Sequence, residues 1–312
     1  MLLHDLLKVD CNEAVYMIEP DFSNQVTCNL TEHHLSEIVR SGNSFDDVTR
    51  IRDENEVIGI AIPMCSEEDC FLAVLTNAIC RSNDFSDHVT RICERTEEVH
   101  DVETTYSQFM DATIEYYAIM LVNRMLCNRC AHDKKSFSQI FSEPRVDRIM
   151  SFLRTVKESK NVDFADMKML EICCGNGMAT IALHKMGFDP FCLDSDRCAI
   201  CEGLEHDVFA PHRAIVLDAA ELTRVFEAGS FDCVTGFMLG AIYPFNKELW
   251  RNIMSESVAL LREDGVLLIT VHKNEEIAIL KEVLDELGMN GSIIDNRDDS
   301  GVYDQWIYLG RK

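Results

Sequence analysis

The sequence has no long uninterrupted apolar run and little positive charge. Its most apolar stretch, Phe109 to Cys127, is broken by Asp111, Glu115, Asn123 and Arg124, whereas a membrane span needs roughly 20 predominantly apolar residues. A buried helix is expected there instead. Only 29 Lys and Arg stand against 54 Asp and Glu, for a net charge of −25. The densest basic cluster is Lys134-Lys135. Such a chain repels phosphate backbones, which excludes general nucleic-acid binding. The start, Met1-Leu2-Leu3-His4-Asp5, lacks the charged and apolar regions of a secretory leader. There is no low-complexity tract, and 47% of the residues are apolar. These features predict a chain of 312 residues folded throughout, in two domains and in the cytoplasm, with no membrane partner.

Cysteine is abundant, at 14 residues. The cysteines are scattered, several within apolar runs such as Phe191-Cys192-Leu193 and Asp232-Cys233-Val234, which suits reduced thiols in a reducing compartment. Two pairs have the spacing of zinc ligands, Cys127-x-x-Cys130 with His132 nearby and Cys198-x-x-Cys201. The first, at the end of a helix, is the better metal candidate, with Cys65 and Cys70 as a possible second pair. In the second, core and helix-surface roles are expected. With this many cysteines such spacings also arise by chance, and no metal is assigned. No Cys-x-x-x-Cys-x-x-Cys run for an iron–sulfur cluster is present.

The first third contains an apparent duplication at an offset of 41 residues. Ile38-Val39-Arg40-Ser41 matches Ile79-Cys80-Arg81-Ser82, and Asp46 to Ile51 matches Asp87 to Ile92. Each copy reads as helix, polar turn, helix, with Ser, Asn and Asp placed to cap. An acidic α-helical domain over residues 1–103 is expected. Residues 104–160 read as a helical connector: one long helix from Tyr106 to Cys127, a break at Pro144, then Val146 to Val156.

From Met167 the texture changes. Strand-length runs, Met169–Cys173, Phe191–Leu193, Ala214–Leu217, Phe231–Thr235, Gly265–Val271 and Tyr303–Leu309, alternate with helical segments, notably Lys247–Leu261 and Glu275–Leu287. Alternation of this kind predicts an α/β domain over 161–312, with a doubly wound, mostly parallel sheet covered by helices on both faces.

The central motif is Leu170-Glu171-Ile172-Cys173-Cys174-Gly175-Asn176-Gly177, at a strand-to-helix junction. Glycines there let the backbone approach a ligand, and the helix start offers free N–H groups. This segment resembles the first motif of class I S-adenosylmethionine-dependent methyltransferases, an acidic residue followed by Gly-x-Gly-x-Gly. Cys173 stands where that family has its first glycine. Asp194 ends the second strand, where the family's acidic residue accepts from both ribose hydroxyls. Asp218-Ala219 follows the third strand, where the family places an acidic residue against the adenine amino group. The resemblance covers the last 150 or so residues. It implies a Rossmann-like class I methyltransferase fold with S-adenosyl-L-methionine held by Glu171, Cys173, Gly175, Asn176, Gly177, Asp194, Ser195, Asp218 and Ala219.

A dinucleotide fingerprint needs Gly-x-Gly-x-x-Gly, and Cys173 and Met178 occupy two of its three glycine positions. No Gly-x-x-x-x-Gly-Lys phosphate loop exists. Methyl transfer from a sulfonium is an in-line displacement that needs alignment, a dry site and sometimes a base. The family's acceptor contacts follow the fourth strand, here Gly236 to Tyr243, with Tyr106, Tyr116 and Tyr117 as further candidates. His272 and Tyr243 are the candidates for a catalytic base, and surface or packing roles stand beside that reading. No Asn/Asp-Pro-Pro-Tyr run of base-modifying methylases is present. The acceptor class expected is a small molecule or a protein side chain. The competing reading is a binding or degenerate methyltransferase-fold protein acting in regulation. The N-terminal domain would bind the acceptor, form a homodimer or dock a partner protein.

Overall fold

The computed structural model describes the chain except residues 1, 11, 23–29, 55, 66–68, 80–81, 127–135, 161, 163, 165, 299–300 and 302. It divides into two compact units, Met1–Leu126 and Cys127–Lys312. The separate connector expected over 104–160 is therefore not a unit of its own; its two long helices fall on either side of the division.

The first unit is not a helical domain. Its order is α1 (Leu3–Leu7), β1 (Ala14–Met17), α2 (Leu30–Ser41), β2 (Phe45–Asp53), β3 (Glu56–Cys65), β4 (Cys70–Thr76), α3 (Phe85–Cys93), β5 (Thr96–Thr104) and α4 (Tyr106–Val122). The five strands form one mixed sheet, β1-β4-β3-β2-β5. On one face Val48, Ile60, Ile62, Ala73 and Leu75 pack with Leu35 of α2 and with Phe85, Val89 and Ile92 of α3. Residues of opposite parity, Ile51, Ala61 and Val74, are also buried, so apolar surface is covered on both faces. Arg50 of β2 donates to both carboxylate oxygens of Asp101 on β5, at 2.7 and 2.8 Å. That pairing holds the Asp101 carboxyl below its usual range.

The apparent duplication fails for a specific reason. Asp46–Ile51 is strand, whereas Asp87–Ile92 is helix. Val48 and Ile51 have helical spacing in the sequence, but the apolar strand β3 lies beside them and pairs from Thr49↔Ala61 to Asp53↔Glu56. Pairing with the next strand overrides the helical spacing of these two residues. The matching segment is not paired in a sheet and keeps its amphipathic helix, with Phe85, Val89 and Ile92 inward.

One cysteine expectation is also overturned. Cys65 and Cys70 face each other in the β3–β4 register and are joined as a disulfide. The expected role for this pair was metal ligation, because a five-residue spacing does not by itself announce a hairpin. Cys93, Cys173, Cys174, Cys192 and Cys233 are free thiols. Among the described residues no cluster could hold a metal ion, and Cys127 and Cys130 lie outside the described residues. No helix among the described residues is long and apolar enough to cross a membrane.

The second unit begins with α5 (Phe137–Ile140) and α6 (Glu143–Lys160). It continues β6 (Met169–Ile172), α7 (Met178–Lys185), β7 (Phe191–Asp194), α8 (Arg197–Glu205), β8 (Ala214–Val216), β9 (Phe231–Gly236), α9 (Lys247–Leu260), β10 (Leu261–Val271), α10 (Asn274–Glu286), β11 (Asn290–Asp295) and β12 (Trp306–Arg311). Pro144 sits in the first turn of α6, where its missing N–H costs nothing; it starts the helix that the sequence reading began at Val146. The sheet order is β11-β12-β10-β9-β6-β7-β8. Strands β6 to β10 run parallel, and β12 and β11 close one edge antiparallel. The doubly wound, mostly parallel architecture expected for this half is the one observed. Its core joins Ile149, Phe152 and Leu153 of α6 to Leu183 of α7 and to Met169, Cys233 and Leu268 of the sheet. Strand β11 escaped the sequence reading because Asn290-Gly291-Ser292 begins it and only Ile293 and Ile294 are apolar. It is an edge strand, defined by its partner.

Candidate functional site

The chain runs from β6 outward through β7 to β8, then returns to the other side of β6 at β9. The direction of winding reverses at β6, and ligands of doubly wound sheets bind outside the carboxyl ends of the strands at such a point. The loop 173–177 leaves β6 there. Cys174 N–H donates to Leu193 O at 3.0 Å, and Gly177 N–H to Cys174 O at 3.0 Å. These bonds fold the loop tightly against β7 before α7 starts.

Two glycines carry different duties. Gly175 has φ +57, and an added Cβ would meet nothing within 4 Å, so the backbone faces open space. Gly177 has φ +91 and serves as the residue before α7. A Cβ there would lie 2.5 Å from Val208 and 2.7 Å from the Phe209 ring. Gly175 therefore fronts open space, whereas Gly177 leaves room for the protein itself.

Asp194 is the hub. Its Oδ2 accepts from Gly175 N–H at 2.9 Å and its Oδ1 from Asp196 N–H at 2.8 Å. The carboxylate thus clamps the glycine loop while retaining lone pairs for a ligand. Ser195 beside it is exposed. Asp218 leaves the end of β8, exposed, and caps the following turn by accepting from Ala220 N–H at 2.9 Å. Ala219 next to it is buried. Cys173 lies in the field of both Asp194 and Asp218, and burial together with these carboxylates pushes its thiol up to about 12. It remains a thiol at neutral pH and is no nucleophile. Its φ of +51 is the left-handed conformation for which glycine is preferred. The structure thus keeps the backbone of a glycine at a cysteine.

Asn176 does not face the open space with its side chain alone. Its Nδ2 donates to Glu202 of α8 at 2.8 Å, which ties the loop to a second helix. Glu171 is fully buried; its Oε2 accepts from Thr180 Oγ1 at 2.7 Å and from Cys192 Sγ at 3.8 Å. Its Oε1 has no hydrogen-bond partner. Burial pushes this carboxyl from an ordinary 4.5 to about 7, against the hydrogen bonds and the field of Arg145, which lower it.

A carboxyl raised in the folded state stabilises the fold fully below its unfolded value and loses that contribution as pH rises through the folded value. The window is therefore pH 4.5 to somewhat above 7, and up to about 3 kcal/mol is at stake. The protein is expected to melt at a lower temperature at pH 8 than at pH 5.5, and Glu171→Gln to remove most of the difference. Calorimetric melts at the two pH values check this. A variant that keeps the full wild-type dependence would assign it to other groups, such as Glu19, whose carboxyl burial also raises.

Further along the same sheet edge, Tyr243 and Phe245 stack with centroids 5.4 Å apart, and Lys273 Nζ stands 5.8 Å from the Tyr243 ring centre. His272 follows β10, half-buried, and its Nδ1 has no hydrogen-bond partner. Both base candidates thus sit at the carboxyl edge, after β9 and β10. Tyr106, Tyr116 and Tyr117 serve the first unit instead. Their hydroxyls bond Ala78 O, Met17 N–H and Glu19 O.

Two groups of residues at this edge escaped the sequence reading. Buried Glu276 accepts from Ile242 N–H at 3.4 Å and Lys273 N–H at 2.9 Å, fixing the segments that carry Tyr243 and His272. Its only sequence signal was an acidic residue in the first turn of α10. Thr270 Oγ1 accepts from Met238 N–H at 2.7 Å and donates to the fully buried Asp304. Asp304 Oδ2 also lies 3.6 Å from Arg145 Nε of α6. No spacing rule links residues this far apart.

The fold and loop together define a doubly wound α/β domain with a class I methyltransferase-like glycine loop. No family model matches the chain. A curated relative from Geobacillus sp. (strain WCH70), provisionally named a methyltransferase, is 29% identical over 139 residues, which are 44% of this chain and 54% of the relative. The chain spans about half the length of that relative. Among solved structures, the magnesium protoporphyrin IX methyltransferase of Synechocystis PCC 6803, with bound SAM, is 16% identical. The match covers 65% of this chain and 97% of that one, with a TM-score of 0.41. A SAM-dependent methyltransferase from Methanosarcina mazei is 14% identical over 50% of this chain and 96% of that one, with a TM-score of 0.38. The resemblance read from the loop motif agrees with the name of the sequence relative.

Proposed function

We propose that the second unit is an S-adenosyl-L-methionine-dependent methyltransferase acting on a small molecule or a protein side chain. The observation that carries this is the convergence of three strand ends, with loop 173–177, Asp194 and Asp218 leaving β6, β7 and β8 side by side. The residues fit the cofactor. Gly175 opens onto free space, and Asp194 keeps acceptor capacity for a ribose. Asp218 and Ala219 stand one strand further out for an adenine, and loop 173–177 is left for the methionyl end. The group would supply an electrophilic methyl on a sulfonium.

The chain's own task is then alignment and exclusion of water. Asp194 holds the loop by Gly175 N–H, and Glu276 and Thr270 hold the segment after β9 against the end of β10. His272, which follows β10, is the candidate to take a proton from an acceptor, and Tyr243 offers a ring at the same edge. The charge of −25 favours acceptors other than nucleic acid. A dinucleotide is disfavoured by Cys173 and Met178 at glycine positions. It is disfavoured too by an antiparallel edge where such sheets continue with a parallel strand.

Calorimetric titration with S-adenosylhomocysteine, with NAD as control, tests the reading. Micromolar binding of the first and none of the second is expected. Binding of NAD alone would replace the proposal with a dinucleotide enzyme. Binding of neither would leave the fold without this cofactor.

A further inference from the structure

We propose that the first unit carries a ligand site of its own, for a small apolar amine. The unit carries an open cavity of about 360 Å³ between α1, β1 and α4, within the range of about 300–1,000 Å³ typical of small-molecule sites. Its walls are apolar, with Leu3 from α1, Val15 from β1 and Ile119 and Met120 from α4. Three large apolar side chains that are otherwise conspicuously exposed, Leu2, Tyr16 and Met125, line the same cavity. Exposed apolar groups gathered at one opening mark a binding surface rather than scattered surface residues.

The polar groups select the ligand's head. Among the described residues no Lys or Arg lines the cavity, and the carboxyl side chain that does is Glu13, exposed at the rim. His4 is held beside it, its Nε2 bonding Glu13 O at 2.9 Å. Strand β1 is the edge of its sheet. Ile18 N–H reaches back to Val74 O of β4, while Met17 N–H turns away from β4 to Tyr116 Oη at 3.2 Å. By the alternation of a strand, the Val15 peptide also points away from β4, on the cavity side. A cation entering here meets a carboxylate, a peptide carbonyl and the Tyr16 ring, whose face attracts positive charge. A carboxylate or phosphate head would bring a second negative charge to the Glu13 carboxylate at the rim.

The test uses the full-length chain and calorimetric titration at neutral pH with octylamine, octanol and octanoate. Octylamine should bind saturably at one site, with octanol and octanoate at least tenfold weaker. Ile119→Trp should fill the cavity and weaken octylamine at least tenfold while the melting temperature holds; Met120→Trp replaces it if that variant does not fold. Glu13→Gln should bring the three probes to within about threefold of one another. The absence of saturable octylamine binding would overturn the proposal, as would folded Trp variants that bind like the wild type. Octanol or octanoate binding as tightly as the amine would overturn it as well. The site is independent of the cofactor reading, and binding of S-adenosylhomocysteine should be unchanged in all three variants.

Discussion

Gly177→Ala is expected to destabilise the protein by about 3 kcal/mol, while Gly175→Ala, two residues away, costs about 1 kcal/mol. Both glycines have left-handed backbones, φ +91 and +57, and that conformation costs an L residue roughly 1–2 kcal/mol. Only at Gly177 does the methyl group also collide. It would stand 2.5 Å from Val208 and 2.7–2.8 Å from two atoms of the Phe209 ring, and both side chains are buried. The same ring already lies where a Cβ on Gly203 would fall, at 2.2 Å, so it has little room to retreat. Overpacking of this kind costs about 1–3 kcal/mol more. Urea unfolding of the two variants measures the difference. Equal losses would mean that the packing around Val208 and Phe209 yields freely. Gly175→Ala should show its damage elsewhere, with affinity for S-adenosylhomocysteine at least tenfold lower, because its methyl enters the space assigned to the ligand.

Asp194→Ala is expected to lower affinity for S-adenosylhomocysteine about a hundredfold. A hydrogen bond from a ribose to a charged acceptor is worth about 1.5–3 kcal/mol, so two at the low end give about 3 kcal/mol, which is on the order of a hundredfold. The substitution also releases the Gly175 and Asp196 N–H groups from their acceptor, which loosens the loop. Asp194→Asn keeps one acceptor oxygen and should fall between the two. Titration of both variants, with a thermal melt as a check on folding, tests this. Unchanged affinity in a folded Asp194→Ala protein would show that the ligand does not reach the end of β7.

The second unit was legible because its information is local. Each buried parallel strand is a short apolar run such as Met169–Ile172 or Phe191–Asp194, and each helix keeps one apolar face. Glu171, Gly175, Gly177, Asp194 and Asp218 are placed by the ends of such runs, so their positions could be read from order and spacing. The first unit was not legible in the same way. Phe45, Val48 and Ile51 have the spacing of a helix, and only the pairing of β2 with β3 and β5 makes them a strand.

The sequence by itself determined the strand–helix alternation of the second half, the glycine loop at a strand end and the acidic surface, because periodicity and backbone freedom are properties of neighbouring residues. Tertiary structure alone decided the mixed sheet of the first unit, the Cys65–Cys70 pairing, the two different roles of Gly175 and Gly177, and the Arg145–Asp304–Thr270 contact. Each depends on which residues the folded chain sets side by side: Cys65 and Cys70 meet across the β3–β4 hairpin, Arg145 and Asp304 across most of the second unit. What a side chain touches there is set by packing, which no spacing along the chain records.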